Sequence, residues 1–147
     1  WLHWLEHDEH HAISKQITGL LWSDAVFRLI NESPNFIGVK VGTAEEDIPT
    51  LMRGIGDNGI VMWGVGDRST KAAGLGAIGH TSGISIVAAR ASDEINNAQR
   101  DGDLKASQQV EDLITPLENL RFVNSRQYNY SAVVEAMKIG GWDDVEA

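Results

Sequence analysis

In the stretch PNFIGVKVGTAEED, residues 34–47, an apolar run from Phe36 to Val39 ends on Lys40. Lysine is strongly hydrated and is seldom fully buried without a partner, so an ammonium group closing a buried strand demands a reason. Partial loss of hydration favours the neutral amine, and a neutral amine can attack a ketone to form a Schiff base. The plainer alternative is a stem that packs while its head reaches water. Two other strand ends carry small and polar residues: Gly64, Gly66 and Asp67 in GVGD, and Thr81, Ser82 and Gly83 in HTSG. Glycine removes a side chain and lets a substrate approach the backbone closely. Backbone N–H groups and the Thr81 and Ser82 hydroxyls can bind a carboxylate.

Other groups point to chemistry less well. GLGAIG, residues 74–79, matches G-x-G-x-x-G, but it closes a helix and opens a strand. A dinucleotide site needs the opposite order, so a helix cap and close packing are the better roles. His3, His7, His10 and His11 fall on one face of a possible helix, with Glu6 and Asp8 nearby. Nothing supplies the second shell of a dedicated metal site, so no metal is assigned. His80 lies at a strand end and reads as a rim histidine. Tyr128 and Tyr130 in RQYNYS read as the start of a helix with core contacts, and AEED, residues 44–47, as a helix N-terminus.

The elements that must position these residues fit within 147 residues, enough for one domain with a core. A net charge of −9 argues against nucleic acid or an anionic membrane surface as partner. The absence of cysteine removes disulfide and thiolate chemistry and fits a cytoplasmic setting. No apolar run approaches the roughly 20 residues of a membrane-spanning helix. The sequence starts on Trp1 and not on Met, which suggests a fragment or a processed product.

Helical spacing of Leu2 and Leu5 allows a helix within residues 1–12. Trp22–Glu32 is a stronger helix, with Ser23 as N-cap, and Pro34 ends it. A strand over Phe36–Val41, a helix capped by Thr43, and a strand within Gly59–Gly66 follow. DRSTKAAGLG is a short helix, and residues 77–87 hold a third strand. Thereafter the pattern is helical, with Ser92 as a cap, Pro116 as a kink or break, and a last helix ending at Gly140–Gly141. Strands separated by helices mean parallel βα units, whose working residues lie at the carboxyl ends of the strands. The expected division is an N-terminal helical or irregular segment over 1–17, βα units over 18–90, and C-terminal helices over 91–147.

PNFIGVKVGTAEED resembles the segment that carries the Schiff-base lysine in the dihydrodipicolinate synthase / N-acetylneuraminate lyase family. GVGD resembles that family's glycine-rich end of the next strand, and GLGAIGHTSGISIVAAR is similar to its GA-x-G-x-x-S stretch. The combined pattern looks closest to the branch that acts on sugar acids. The resemblance runs from about Thr18 onward. It implies a partial (β/α)8 TIM barrel of α/β class, about its last three βα units, with a helical C-terminal extension. It implies Lys40 as the nucleophile toward pyruvate or another 2-keto acid, for aldol cleavage, condensation or dehydration. Gly64, Gly66, Asp67, Thr81, Ser82 and Gly83 would shape the pocket, with no cofactor and no metal. Exposed strand edges and apolar helix faces would favour a homo-oligomer. Three departures stand out. The family's carboxylate-binding threonine pair would lie in a part not present, its proton-shuttling tyrosine position falls near Ala12, and Ile86 replaces a frequent asparagine. A non-catalytic remnant or assembly domain of the same fold is the second reading. A phosphate-binding or nucleotide-binding module built on the glycines is the third.

Overall fold

The computed structural model describes residues 2–4, 22–42, 44–142 and 144–145. Three strands, β1 (Leu2–Trp4), β2 (Gly38–Val41) and β3 (Ile60–Trp63), lie side by side in that order, all parallel. His3, Lys40 and Met62 are abreast in the register. Helix α1 (Trp22–Glu32) precedes β2, α2 (Ile48–Ile55) crosses from β2 to β3, and α3 (Ser69–Gly74) follows β3.

The two-residue period of a strand decides the rest. Val39, Val41, Val61 and Trp63 share one face and are fully buried. They pack with Val26 and Ile30 of α1, Ile48, Leu51 and Ile55 of α2, and Ala72 of α3 to form the main core. Lys40, Ile60 and Met62 take the opposite parity and are only half-buried. The expected apolar strands are therefore present, but the helices described here cover one face of them.

Beyond β3 the chain departs from expectation. The third strand shrinks to a single bridge between Trp63 and His80. Gly76 and Gly79 take positive φ (111° and 68°), which turns the backbone out of extended geometry on either side of Ala77 and Ile78. Residues Gly83–Ile86 form a 3₁₀ turn, with the Ser82 hydroxyl accepting from the Ile84 N–H at 3.3 Å. Three helices follow: α4 (Ala89–Arg100), α5 (Leu104–Arg126) and α6 (Ser131–Ile139). Ile84, Ile95 and Ile114 form a second core between them.

Several local expectations change. Residues 2–4 are a strand, not part of a helix, because their backbone pairs with β2; His7, His10 and His11 lie outside the described residues. Ser23 sits inside α1, which starts one residue earlier. Thr43 lies outside the described residues, and a 3₁₀ turn over Glu45–Asp47 leads into α2. Ser92 is buried inside α4, its hydroxyl 2.9 Å from that of Ser85, and caps nothing. Helix α5 runs through Pro116, with Ile114, Glu118 and Arg121 buried around it, and breaks instead at Val123–Ser125.

Helix α3 has no side-chain cap of its own. Its first N–H groups are satisfied from α5: the Glu111 carboxylate accepts from the N–H of Arg68 at 2.8 Å and of Thr70 at 2.7 Å. A buried polar network joins the same elements. His80 Nδ1 lies 3.1 Å from the Ser69 hydroxyl. The Gln99 amide donates to Ser69 at 2.8 Å and to Ser107 at 3.1 Å. The Thr70 and Ser107 hydroxyls are 2.7 Å apart. Among the described residues, buried His80 Nε2 has no hydrogen-bond partner.

Two predictions follow from this network. Glu111→Ala strips buried N–H groups of a charged acceptor and should cost about 2–4 kcal/mol in urea unfolding, with Glu111→Gln losing less. Burial holds the His80 pKa below its ordinary 6.5, outweighing the opposing influence of the Asn96 side chain beside it. Its lowered folded pKa means the unfolded chain binds more protons, so this contribution is complete above about pH 6.5 and is lost as pH falls below it. The stability difference between the native protein and His80→Gln should therefore shrink between about pH 7 and pH 5, measured by denaturant unfolding at fixed salt.

Candidate functional site

Lys40 points from the carboxyl end of β2 into a cavity of about 460 Å³. The floor is made by Lys40, Gly42, Gly64 and Val65 at the ends of β2 and β3, and one side by Gly83 and Ile86 of the 3₁₀ turn. Arg121, Phe122 and Arg126 of α5, Asn129 and Tyr130 before α6, and Val133, Val134 and Met137 of α6 complete the lining. The surface is thus mostly apolar, with lysine and arginine as its charged groups. Such a lining shields a bound ligand from water while favouring an anionic one.

Gly64 makes room first for the neighbouring strand's backbone and then for the lysine stem. A Cβ there would strike the Val41 carbonyl oxygen and come within 3.0 Å of Lys40 Cε. Gly66 and Gly83 make room for a different group. A Cβ on Gly66 would lie 2.6 Å from Ile84 Cγ2 and 2.8 Å from Glu118 Oε1, and one on Gly83 would lie 2.8 Å from Arg121 Nη2. The space that glycine leaves at these two strand ends is filled by the protein's own ion pair.

That pair, Glu118 Oε1 to Arg121 Nη1 at 2.7 Å, is almost wholly buried, with side chains 0% and 6% exposed. The Ser82 hydroxyl donates to Glu118 Oε1 at 3.0 Å and accepts from Arg121 Nη1 at 3.2 Å. Arg121 also donates from Nε to the Asn129 carbonyl at 3.1 Å and from Nη2 to Asn129 Oδ1 at 2.7 Å. Burial pushes the Glu118 pKa up and the neighbouring Asp67 carboxylate adds to the rise, while Arg121 and Ser82 pull it down. Just beyond, Asn124, Ser125 and Arg126 take left-handed backbone, with φ of 48°, 58° and 71°. Each such L-residue costs about 1–2 kcal/mol, so the turn is held by its surroundings.

A model of the dihydrodipicolinate synthetase family matches residues 16–147. The chain belongs to that family. Dihydrodipicolinate synthase from Aquifex aeolicus superposes with a TM-score of 0.71 at 21% identity, over 80% of this chain and 40% of that one. The enzyme from Oceanobacillus iheyensis gives 0.73 at 23% identity, over 81% and 41%. A structure described as the first monomeric dihydrodipicolinate synthase variant gives 0.62 at 24% identity, over 77% and 39%. The chain thus spans about 40% of the length of the solved structures it matches. No curated protein matches it. These likenesses show the fold: the βα units are part of a (β/α)8 barrel, of the class I aldolase type, followed by helices.

Within this family fold, Lys40, Gly64 and Gly83 meet at one cavity. Gly66, Asp67, Thr81 and Ser82 do not line it. Asp67 binds Arg68 at 3.1 Å, its carbonyl accepts from Trp63 Nε1 at 2.8 Å, and it borders a separate hollow with Arg68 and Asn119. Thr81 is exposed, and Ser82 is committed to the buried pair. The glycines of GLGAIG close α3, as their position in the sequence implies. Sequence reasoning missed Arg121, Asn129 and Tyr130. Tyr130 immediately precedes α6, but the residue is 82% exposed and borders the cavity instead of entering the core. No local signal marks these residues, since the break that aims them lies in an otherwise helical pattern. Among the described residues, no group of three or more His, Cys, Asp or Glu could hold a metal ion, and no helix is long and apolar enough to cross a membrane.

The glycine argument is testable at Gly64. Gly64→Ala should lower stability by about 1–3 kcal/mol in urea unfolding, because the obstructing atom belongs to backbone. Gly74→Ala, which meets nothing closer than Leu104 Cδ1 at 3.9 Å, should stay within about 1 kcal/mol of the native protein.

Proposed function

We propose that Lys40 is the nucleophile of a lyase or aldolase that forms a Schiff base with pyruvate or another 2-keto acid. The observation that carries this reading is the position of Lys40. It is the penultimate residue of β2, avoids the buried face, and enters a largely apolar cavity at the carboxyl ends of the strands. Within the family, a lysine so placed is suited to attack the keto carbon. The Nζ lone pair forms the C–N bond, the carbonyl oxygen leaves as water after taking up two protons, and an iminium remains. Its positive charge then withdraws electrons from the neighbouring carbon, which permits aldol cleavage, condensation or dehydration. The cationic Lys40 and Arg126 in the lining favour a carboxylate-bearing substrate, the Arg121 charge being offset by Glu118.

A second reading, a non-catalytic assembly domain of the same fold, draws on the outer surface of the C-terminal helices. Leu113, Leu120 and Ile139 are 77%, 50% and 89% exposed, and a shallow apolar groove runs between α5 and α6. Such faces favour self-association into a homo-oligomer.

Borohydride reduction in the presence of pyruvate, read by intact and peptide mass spectrometry, separates the two. The lyase reading expects a pyruvate-derived secondary amine on Lys40 and none in Lys40→Arg. A folded chain that yields no adduct with pyruvate or longer 2-keto acids supports the assembly domain.

A further inference from the structure

We propose that Arg121 is a positioning residue: through Asn129 it latches α6 against the Lys40 cavity and so sets the part of the wall that α6 contributes. Three observations carry this. First, α6 is thinly packed. Ala132 and Val133 are its buried residues, and Ile139 is almost fully exposed. Apolar burial alone gives such a helix little purchase on the rest of the chain.

Second, the connection into α6 is strained. Three consecutive non-glycine residues, Asn124 to Arg126, hold left-handed backbone. A segment of that kind persists only where its surroundings impose it.

Third, one guanidinium bridges the residues on either side of that turn. Its Nε and Nη2 hold the carbonyl and side-chain oxygens of Asn129, while Nη1 holds Glu118 and Ser82. One planar group therefore ties the turn before α6 to the segment that follows the third strand position. The buried Glu118 carboxylate fixes the guanidinium in place, and Gly83 leaves the space it occupies. Lysine carries the same charge but cannot make the fork.

The test uses the full chain and two readouts. Hydrogen exchange by mass spectrometry would compare the native protein with Asn129→Ala, Asn129→Asp and Arg121→Lys. Amides of residues 131–139 should exchange roughly tenfold or more faster in Asn129→Ala and Arg121→Lys, as expected for loss of a charge-assisted hydrogen bond. Asn129→Asp keeps an acceptor for Nη2 and should stay close to the native protein, and α1 and α2 should keep their protection in every variant.

The second readout is the pyruvate concentration giving half-maximal borohydride trapping. It should rise roughly tenfold in Asn129→Ala, with the saturated rate changed much less. Unchanged exchange in α6, or equal acceleration throughout the chain, would overturn the latch. Faster exchange in α6 with unaltered trapping would overturn its role in the cavity. The trapping arm rests on the Schiff-base reading of Lys40. If the native protein forms no adduct, that reading fails, and exchange alone then judges the latch.

Discussion

The alternation of β2 is the constraint on which the rest depends. Val39 and Val41 are drawn into the core with Val61, Trp63 and the apolar faces of α1 and α2. Burying a side chain of this kind is worth about 1.5–3 kcal/mol, and four neighbouring ones lock the strand's rotation and register. Lys40 is the residue between the two valines, so it must face the other way. A slip of one residue would bury an ammonium group and expose two valines. The lysine is placed by what its neighbours need, before any substrate is considered.

The glycines answer to the same crowding. A parallel sheet brings the ends of β2 and β3 side by side, and the Lys40 stem needs the volume that Gly64 leaves. Gly66 and Gly83 leave volume too, which α5 fills with Glu118 and Arg121. A buried ion pair is a poor source of net stability, because desolvation offsets much of the attraction. What it supplies here is connection: its hydrogen bonds join α5, the 82–84 turn and the segment before α6. The cavity is consequently a composite, with a floor from the sheet and a wall from residues 121–137 of the C-terminal helices.

Long-range polar contacts do similar work below the cavity. Helix α3 is short and lacks a cap of its own, yet its N-terminus is held by Glu111 from α5. Arg68, in left-handed backbone at that terminus, lies 5.5 Å from the Trp63 ring and pairs with Glu45 at 2.8 Å. The C-terminal helices thus complete the βα units and are not a separate layer beside them.

Much of this was legible in the sequence because the relevant signals are local. The apolar runs of β2 and β3, the glycines closing α3 and the strand-end lysine follow from side-chain alternation and turn chemistry within ten residues or so. The family resemblance rests on the same short segments. The pairing of β1 was not legible, since three residues carry no period and a parallel partner is distant in sequence. Pro116 suggested a break that packing around Ile114, Glu118 and Arg121 overrides, while the true break at Val123–Ser125 carries no proline or glycine. The third strand was lost for a related reason: positive φ at Gly76 and Gly79 confines pairing there to one bridge. The sequence by itself determined that a lysine stands between buried valines near the carboxyl end of a strand, and which strand carries it. Tertiary structure alone decided what surrounds that residue, because Arg121, Asn129 and Tyr130 reach the cavity only after α5 has packed, broken and turned back.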